Sequence, residues 1–295
     1  MPSGPSPLDG ISVVVPAYDE ETGIEACLAE LREVLAGLER ESELIVVNDG
    51  STDRTAERAR AAGARVIDLP ENRGYGAALK AGIDAARFEM IVITDADGTY
   101  PAKEIPALLE RAVQYDMVVG ARTGSNIAIP IERRPAKWLL TKLASYLANR
   151  PIPDLNSGLR VMKRHHVKRF EHLLPSGFSF TTSITLASLC SDLLVAYHPI
   201  DYRERSGQSK IRPTHAIEFA ILILRTIVYF NPLRVFLPLG AFFFLGGTAK
   251  FIYDLYIGNL SETALLGFLG GTLLWAVGLL SDQIARTGLG GGRRS

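Results

Sequence analysis

Short β-branched apolar runs alternate with longer stretches of helical apolar period along the first two thirds of the chain. Ile11-Ser12-Val13-Val14-Val15 reads as a buried strand, closed by Pro16-Ala17-Tyr18-Asp19-Glu20-Glu21. Over residues 22–38, Ile24, Cys27, Leu28, Leu31, Val34, Leu35 and Leu38 recur at the spacing of one helix face. Leu44-Ile45-Val46-Val47 is a second strand that ends in Asn48-Asp49-Gly50-Ser51-Thr52-Asp53. A short helix to about Ala62, a strand from Ala64 to Leu69, and a helix opened by Asn72-Arg73-Gly74-Tyr75-Gly76 and running through Ala86 follow. A fourth strand, Ile91-Val92-Ile93-Thr94, stops at Asp95-Ala96-Asp97-Gly98. Beyond Pro101 come a helix to about Gln114, a strand from Asp116 to Gly120, and a short strand after the polar turn Asp154-Leu155-Asn156-Ser157-Gly158. A basic helix, a helix from Ser179 to Ser191 and a strand from Leu193 to Ile200 complete this portion. Such β-α-β-α alternation with short joints predicts an α/β fold, a doubly wound and mostly parallel sheet with right-handed crossovers.

The pattern then changes. Thr214 to Asn231 is almost wholly apolar, broken by Glu218 and Arg225 and flanked by prolines, which fits an amphipathic helix in the headgroup layer. Residues 235–253 and 263–280 are each just long enough to cross about 30 Å of hydrocarbon as a helix. Arg234, Arg286, Arg293 and Arg294 flank one side, while the acidic link from Asp254 to Glu262 joins the other ends. The positive-inside rule then puts both termini in the cytoplasm, with Lys250 snorkelling at the outer boundary. The expected organisation is a disordered lead-in over 1–10, a catalytic domain over 11–212, a juxtamembrane helix over 213–232 and a transmembrane hairpin with basic tail over 233–295. The lead-in has neither a basic region nor an apolar core, so it is not a signal peptide. Gly267, Gly270 and Gly271 leave room for close helix contacts, including those of a homo-oligomer.

Composition narrows the partners. Net charge is zero with 22% charged residues, so no global field recruits nucleic acid. Charge is nonetheless uneven, with basic clusters from Arg122 to Arg169 and from Arg203 to Arg212. Cys27 and Cys190 lack metal-ligand spacing and read as reduced core residues of a cytosol-facing domain. The basic, apolar segment from Ile129 to Arg150, with Arg133, Arg134, Lys137 and Trp138, reads either as a solvated face or as a helix on a membrane surface.

Candidate chemistry sits at the strand ends. Three of them, at Asp19/Glu20, Asp49 and Asp95/Asp97, present carboxylates to one crevice, where open α/β sheets bind ligands. Asp95 and Asp97, one residue apart, suit a hard cation such as Mg²⁺, which is held by one or two carboxylates plus substrate phosphates. Gly74 and Gly76 fit either close backbone approach to a nucleotide or tight packing. The basic stretch from Tyr202 to Lys210 fits a loop that closes over phosphate, or an ordinary exposed connection.

Val14-Val15-Pro16-Ala17-Tyr18-Asp19-Glu20, Val47 to Asp53 and Thr94 to Gly98 resemble, in order and spacing, family 2 glycosyltransferases with the GT-A fold. Asp154-x-Asn156-Ser157-Gly158-x-Arg160 and Arg205-Ser206-Gly207-x-Ser209-Lys210 resemble the dolichol- or polyprenyl-phosphate hexose synthase branch. This resemblance implies an inverting, membrane-bound enzyme that moves a hexose from UDP-glucose or GDP-mannose to a polyprenyl phosphate at the inner, cytoplasmic membrane, using Mg²⁺ or Mn²⁺. It puts Pro16, Tyr18, Glu20, Asp49, Asp95, Ala96 and Asp97 on the donor, with Asp97 and Asp95 on the metal. It puts Arg122, Arg133, Arg205, Ser209 and Lys210 on phosphates, and Asp154, Asp97, Arg122 and Arg160 in the catalytic set. Asp154 occupies the position proposed for the base. A phosphate monoester has a second pKa of about 6 and hardly needs deprotonating, so orienting Arg160 or the acceptor-binding arginines is the role expected of Asp154. Asp19 departs from the family's frequent asparagine and adds a negative charge near the pocket. No Q-x-x-R-W motif is present, so the processive polysaccharide synthases fit poorly. Two other readings stay open, transfer to another lipid such as diacylglycerol and a catalytically silent membrane scaffold.

Overall fold

The computed structural model describes residues 10–123, 141–146, 148–177, 179–203 and 215–290, with the side chains of 215–219 and 288–290 outside that description. Residues 1–9 of the lead-in, the basic segment with Arg133, Arg134, Lys137 and Trp138, the loop with Arg205, Ser209 and Lys210, and the tail arginines 293 and 294 lie outside the described residues, while Gly10, expected in the lead-in, already pairs in the first strand.

Seven strands form one sheet in the order β3-β2-β1-β4-β6-β5-β7. They are β1 (Gly10–Ala17), β2 (Glu41–Asn48), β3 (Arg65–Asp68), β4 (Met90–Ile93), β5 (Met117–Ala121), β6 (Arg160–Lys163) and β7 (Val195–Pro199). All pairings are parallel except those of β6, which runs antiparallel between β4 and β5, with Arg160 opposite both Ile93 and Val119. Every residue of β1 is buried, as expected of a strand covered on both faces. Its alternate side chains feed two cores. Ile11, Val13 and Val15 pack with α1 (Ile24–Ala36), α2 (Thr55–Ala61) and α4 (Ile105–Arg111). Val14 points the other way, onto α3 (Tyr75–Ala85), α5 (Arg164–Phe170) and α6 (Phe180–Cys190). Both cysteines are free thiols, and burial pushes Cys27 up to about 12 and Cys190 up to about 11, which keeps them inert.

Helix α7 (His215–Phe230) lays Ile223 and Ile227 against Leu186 and Leu189 of α6, leaving Ile221, Leu224 and Arg225 exposed. Helices α8 (Leu233–Ile257) and α9 (Glu262–Gly290) run longer than the expected spans. Pro232 precedes the first turn of α8, and Gly258 at φ 68° breaks it off. Only 11% and 17% of their most apolar windows is buried, so they present apolar side chains outward rather than filling a soluble core. Between them Gly247 meets Gly267 so closely that a Cβ on Gly267 would lie 2.6 Å from the Gly247 Cα. Gly271 likewise faces α8 at the Gly240 carbonyl, while a Cβ on Gly270 would meet nothing within 4 Å. The expected close contacts of Gly267 and Gly271 thus serve the hairpin itself. Lys250 pairs with buried Asp254 one turn on, and Asp254 also accepts the Ser261 N–H at 3.0 Å, fastening the turn of the hairpin.

Candidate active site

One cleft of about 330 Å³ opens at the carboxyl ends of β1, β2 and β4. Because β6 is reversed, its amino end meets the same edge, so the turn from Asp154 to Gly158 arrives beside the tips of β4 and β5. Pro16 stands near the end of β1 and Tyr18 and Glu20 follow it, Asp49 follows β2, Asp95, Ala96 and Asp97 follow β4, and Arg122 follows β5; all eight line the cleft. The three acidic strand ends therefore meet at one edge.

Asp19 is the exception. It adopts φ 51°, a conformation that Asn and Asp tolerate better than other side chains, and its Oδ1 accepts the Thr52 N–H at 2.8 Å. Its charge serves the loop after β2, outside the cleft lining. Asp49 is buried, and its two oxygens accept the N–H groups of Arg73 and Gly74 at 2.8 Å each. It thereby holds the loop before α3 in place. Gly74 and Gly76 resolve to tight packing: a Cβ on Gly76 would lie 2.2 Å from the Pro175 carbonyl oxygen, although Gly74 also borders the cleft.

The two aspartates after β4 are held differently. Asp95 Oδ1 accepts the Tyr75 hydroxyl at 2.9 Å, and both its oxygens sit 2.8 Å from where a Cβ on Gly158 would project. Burial, then the Asp95 charge, holds the Tyr75 phenol well above its ordinary value, so it stays a donor. Asp97 Oδ1 accepts the Thr99 N–H at 3.1 Å and its hydroxyl at 2.6 Å. Among the described residues no group of three or more His, Cys, Asp or Glu could hold a metal alone. A pair of aspartates in an open cleft suits an ion that keeps water and substrate phosphate in its shell.

Across the cleft stands a fixed ion pair. Arg122 Nε donates to Asp154 Oδ2 at 2.7 Å, Nη2 donates to Oδ1 at 2.9 Å, and the Arg122 N–H adds a third bond at 3.0 Å. Asp154 is fully buried. Burial opposes the Arg122 charge, yet Tyr100 and the hydrogen bonds and charge of Asp154 raise its pKa above the ordinary value. The guanidinium also lies 5.2 Å from the centre of the Tyr202 ring, which meets Tyr100 edge-on.

Arg160 is placed elsewhere. It is wholly buried, outside the cleft lining, and donates to the carbonyls of Ser157 and Leu155 at 2.8 and 2.9 Å and to the Thr185 hydroxyl at 2.5 Å. These bonds brace the turn that carries Asp154. A catalytic contact of Arg160 with substrate is not supported by this geometry, and Asp154 orients Arg122 rather than Arg160. Tyr75, Tyr100, Asn156, Thr181 and Tyr202 also line the cleft, and sequence reasoning had not singled them out as site residues. Tyr100 lies in the turn that carries Asp95 and Asp97, a signal that was available, and Tyr202 opens the basic stretch read from the sequence; Thr181 arrives on α6 with none.

Comparison with known proteins agrees with this architecture. The profile described as glycosyl transferase family 2 matches residues 12–170, and that described as the GtrB C-terminal hairpin matches residues 231–287. The dolichyl-phosphate hexose transferase of Haloferax volcanii is 34% identical over 207 residues, covering 70% of this chain and 88% of that one. The undecaprenyl-phosphate 4-deoxy-4-formamido-L-arabinose transferase of Pseudomonas aeruginosa is 39% identical over 140 residues, 45% of this chain and 39% of that one. Glucosyl-3-phosphoglycerate synthase of Mycobacterium tuberculosis, solved with Mn²⁺, uridine diphosphate and phosphoglyceric acid, superposes with a TM-score of 0.60 at 23% identity, covering 74% of this chain and 78% of that one. At that identity the likeness speaks for the GT-A fold alone. The chain belongs to glycosyl transferase family 2. It is a glycosyltransferase with a GtrB-type C-terminal hairpin.

Proposed function

We propose that this enzyme transfers a hexose from a nucleotide sugar to a polyprenyl phosphate in the membrane that α8 and α9 span, with the catalytic domain on the cytoplasmic face. The single observation that carries the reading is the two-sided cleft: carboxylates at the tips of β1, β2 and β4 face the Arg122–Asp154 pair. The family match supports glycosyl transfer, the names of both relatives support a polyprenyl phosphate as the acceptor, and that of the Haloferax relative supports a hexose.

The roles follow from charge. Pro16, Tyr18 and Glu20 line the side for the nucleoside, and Asp49 shapes it by holding the loop before α3. Asp95 and Asp97 would hold Mg²⁺ or Mn²⁺ against the diphosphate, and the ion would stabilise the charge that develops on the leaving group. Arg122 draws the second anionic substrate to the other side, and Asp154 keeps its guanidinium pointed there. A lipid phosphate is largely dianionic at neutral pH, its second pKa being about 6, so the attacking oxygen needs no proton removed. An Asp154 carboxylate bonded at both oxygens suits orientation better than proton abstraction. One in-line displacement inverts the anomeric centre, giving a β-linked product from an α-linked donor.

The test offers the purified full-length chain a panel of nucleotide sugars, with polyprenyl phosphate and Mg²⁺ or Mn²⁺. Metal-dependent formation of a lipid-phosphate sugar of inverted configuration, read by NMR, is the expected result. Transfer to diacylglycerol but not to polyprenyl phosphate would overturn the acceptor.

A further inference from the structure

The turn from Asp154 to Gly158 runs from one side of the cleft to the other. At its start Asp154 is chelated by Arg122. At its end the Gly158 N–H donates to the Tyr100 hydroxyl at 2.7 Å, and Asp95 stands where a side chain on Gly158 would project. Asn156 is the midpoint. Its neighbours are turned inward: Leu155 is buried in the core that α6 and α7 share, and the Ser157 hydroxyl donates to the Gly120 carbonyl. Asn156 alone of the five is exposed, and it lines the cleft.

Its side chain is aimed as well as exposed. Asn156 Oδ1 accepts the hydroxyl of Thr182 at 2.6 Å, and Thr182 is wholly buried on α6. A carboxamide has one accepting and one donating end, so fixing Oδ1 on the protein leaves the Nδ2 amide to donate into the cleft. The Asn156 N–H donates to Asp154 Oδ1 at 3.3 Å, which ties this residue to the carboxylate that aims Arg122. Thr181, next to Thr182 on α6, lines the cleft too.

We propose that Asn156, aimed by Thr182, donates a hydrogen bond to a ring hydroxyl of the transferred hexose and so selects the donor sugar. The inference rests on the transfer reading above, in which the diphosphate lies by Asp95 and Asp97 and the attacking phosphate by Arg122. What lies between those two groups is the sugar, and Asn156 is the exposed residue midway between the same two fixed points. A site that hydrogen-bonds a hydroxyl rejects the analogue lacking it, because its donor is then left unpaired beneath the ligand. Thr182 is the positioning residue behind it, acting only through the direction of the amide.

The experiment is calorimetric titration of the full-length protein with Mg²⁺ and no lipid acceptor. Its ligands are the nucleotide sugar of the panel that binds most tightly, its nucleoside diphosphate, and deoxy analogues that each lack one ring hydroxyl. Wild type is expected to bind one deoxy analogue about tenfold more weakly than the parent. Asn156→Ala is expected to weaken the parent by about the same tenfold and to bind that analogue no more weakly than the parent. Its affinity for the nucleoside diphosphate is expected to stay unchanged, which a misfolded site would not allow. Thr182→Val, which frees the amide to turn, is expected to lose part of the selectivity, and Thr182→Ser to keep it. Wild type binding every deoxy analogue as tightly as the parent would overturn the proposal. So would Asn156→Ala losing nucleoside diphosphate and nucleotide sugar equally, or keeping the wild-type hydroxyl preference. A loss seen only in the KM for polyprenyl phosphate would put the amide on the acceptor and overturn it as well. A wild type that binds the nucleotide sugar but transfers it to no polyprenyl phosphate defeats the acceptor reading, and the Asn156 comparison still decides the donor contact. One that binds no nucleotide sugar defeats both.

Discussion

The two walls of the cleft are built on opposite principles. On the wall at β1, β2 and β4, carboxylates are steadied by backbone N–H groups and hydroxyls: Asp49 by residues 73 and 74, Asp97 by Thr99, Asp95 by Tyr75. On the facing wall the Arg122 guanidinium is steadied by a buried carboxylate through two side-chain bonds. These donors carry no charge, and carboxylates steadied in this way suit a cation carried with the donor. The bidentate partner on the other wall fixes direction while neutralising part of the charge. One wall is tuned for field, the other for aim.

The comparison breaks first on the acidic side. Asp97→Ala is expected to lower transfer on the order of 10³-fold under saturating Mg²⁺, in line with removing one electrostatic stabiliser of a developing charge. Nucleotide-sugar turnover assays check this, and near-normal turnover would show that the wall does not carry the metal. On the aiming wall, Asp154→Asn keeps the shape and loses the charge, and a fall of about 10²-fold is expected from a misplaced Arg122. The pH profile decides its meaning: with a phosphate acceptor the profile keeps its shape, whereas recovery at high pH would restore a base role for Asp154.

A third substitution separates aim from support. Arg160→Met leaves two carbonyls and the Thr185 hydroxyl without their donor, which is expected to cost about 2–4 kcal/mol of stability. Thermal unfolding measures this, and lost activity with an unchanged midpoint would return Arg160 to the reaction itself. The smallest effect concerns the anchor at Arg203, whose guanidinium makes a bidentate pair with Glu30 at 2.7 and 3.0 Å. Those hydrogen bonds hold the Glu30 carboxyl below its ordinary value. The stabilisation is thus present above the unfolded pKa and is lost as pH falls through the folded one. Glu30→Gln should lower stability at neutral pH by about 1 kcal/mol or less, a difference that shrinks as pH falls below the ordinary glutamate range and is read from unfolding midpoints across an acid series.

Much of this was legible in the chain itself, for physical reasons. Buried parallel strands must be apolar on both faces, so the runs at 11–15, 44–47 and 91–93 announce themselves, and the polar residues that follow are forced to the crevice. Asp154 was legible as an orienter of Arg160 or of the acceptor-binding arginines, Arg122 among them, but the choice of Arg122 was not, because it depends on the reversal of β6, and no local period encodes strand direction. The same gap explains Arg160. An arginine beside a motif reads as chemistry, and only tertiary burial reveals a brace. Asp19 reads as added cleft charge until its backbone angle shows which turn it serves.

The absent side chain at 158 has a reach beyond its own turn. Both Asp95 oxygens lie 2.8 Å from where a methyl group at 158 would project, so the later half of the chain closes on the earlier one in the middle of the cleft. Any side chain at 158 would push on the very carboxylate that faces the donor, so the turn on the acceptor side and the donor wall share one hydrogen-sized clearance.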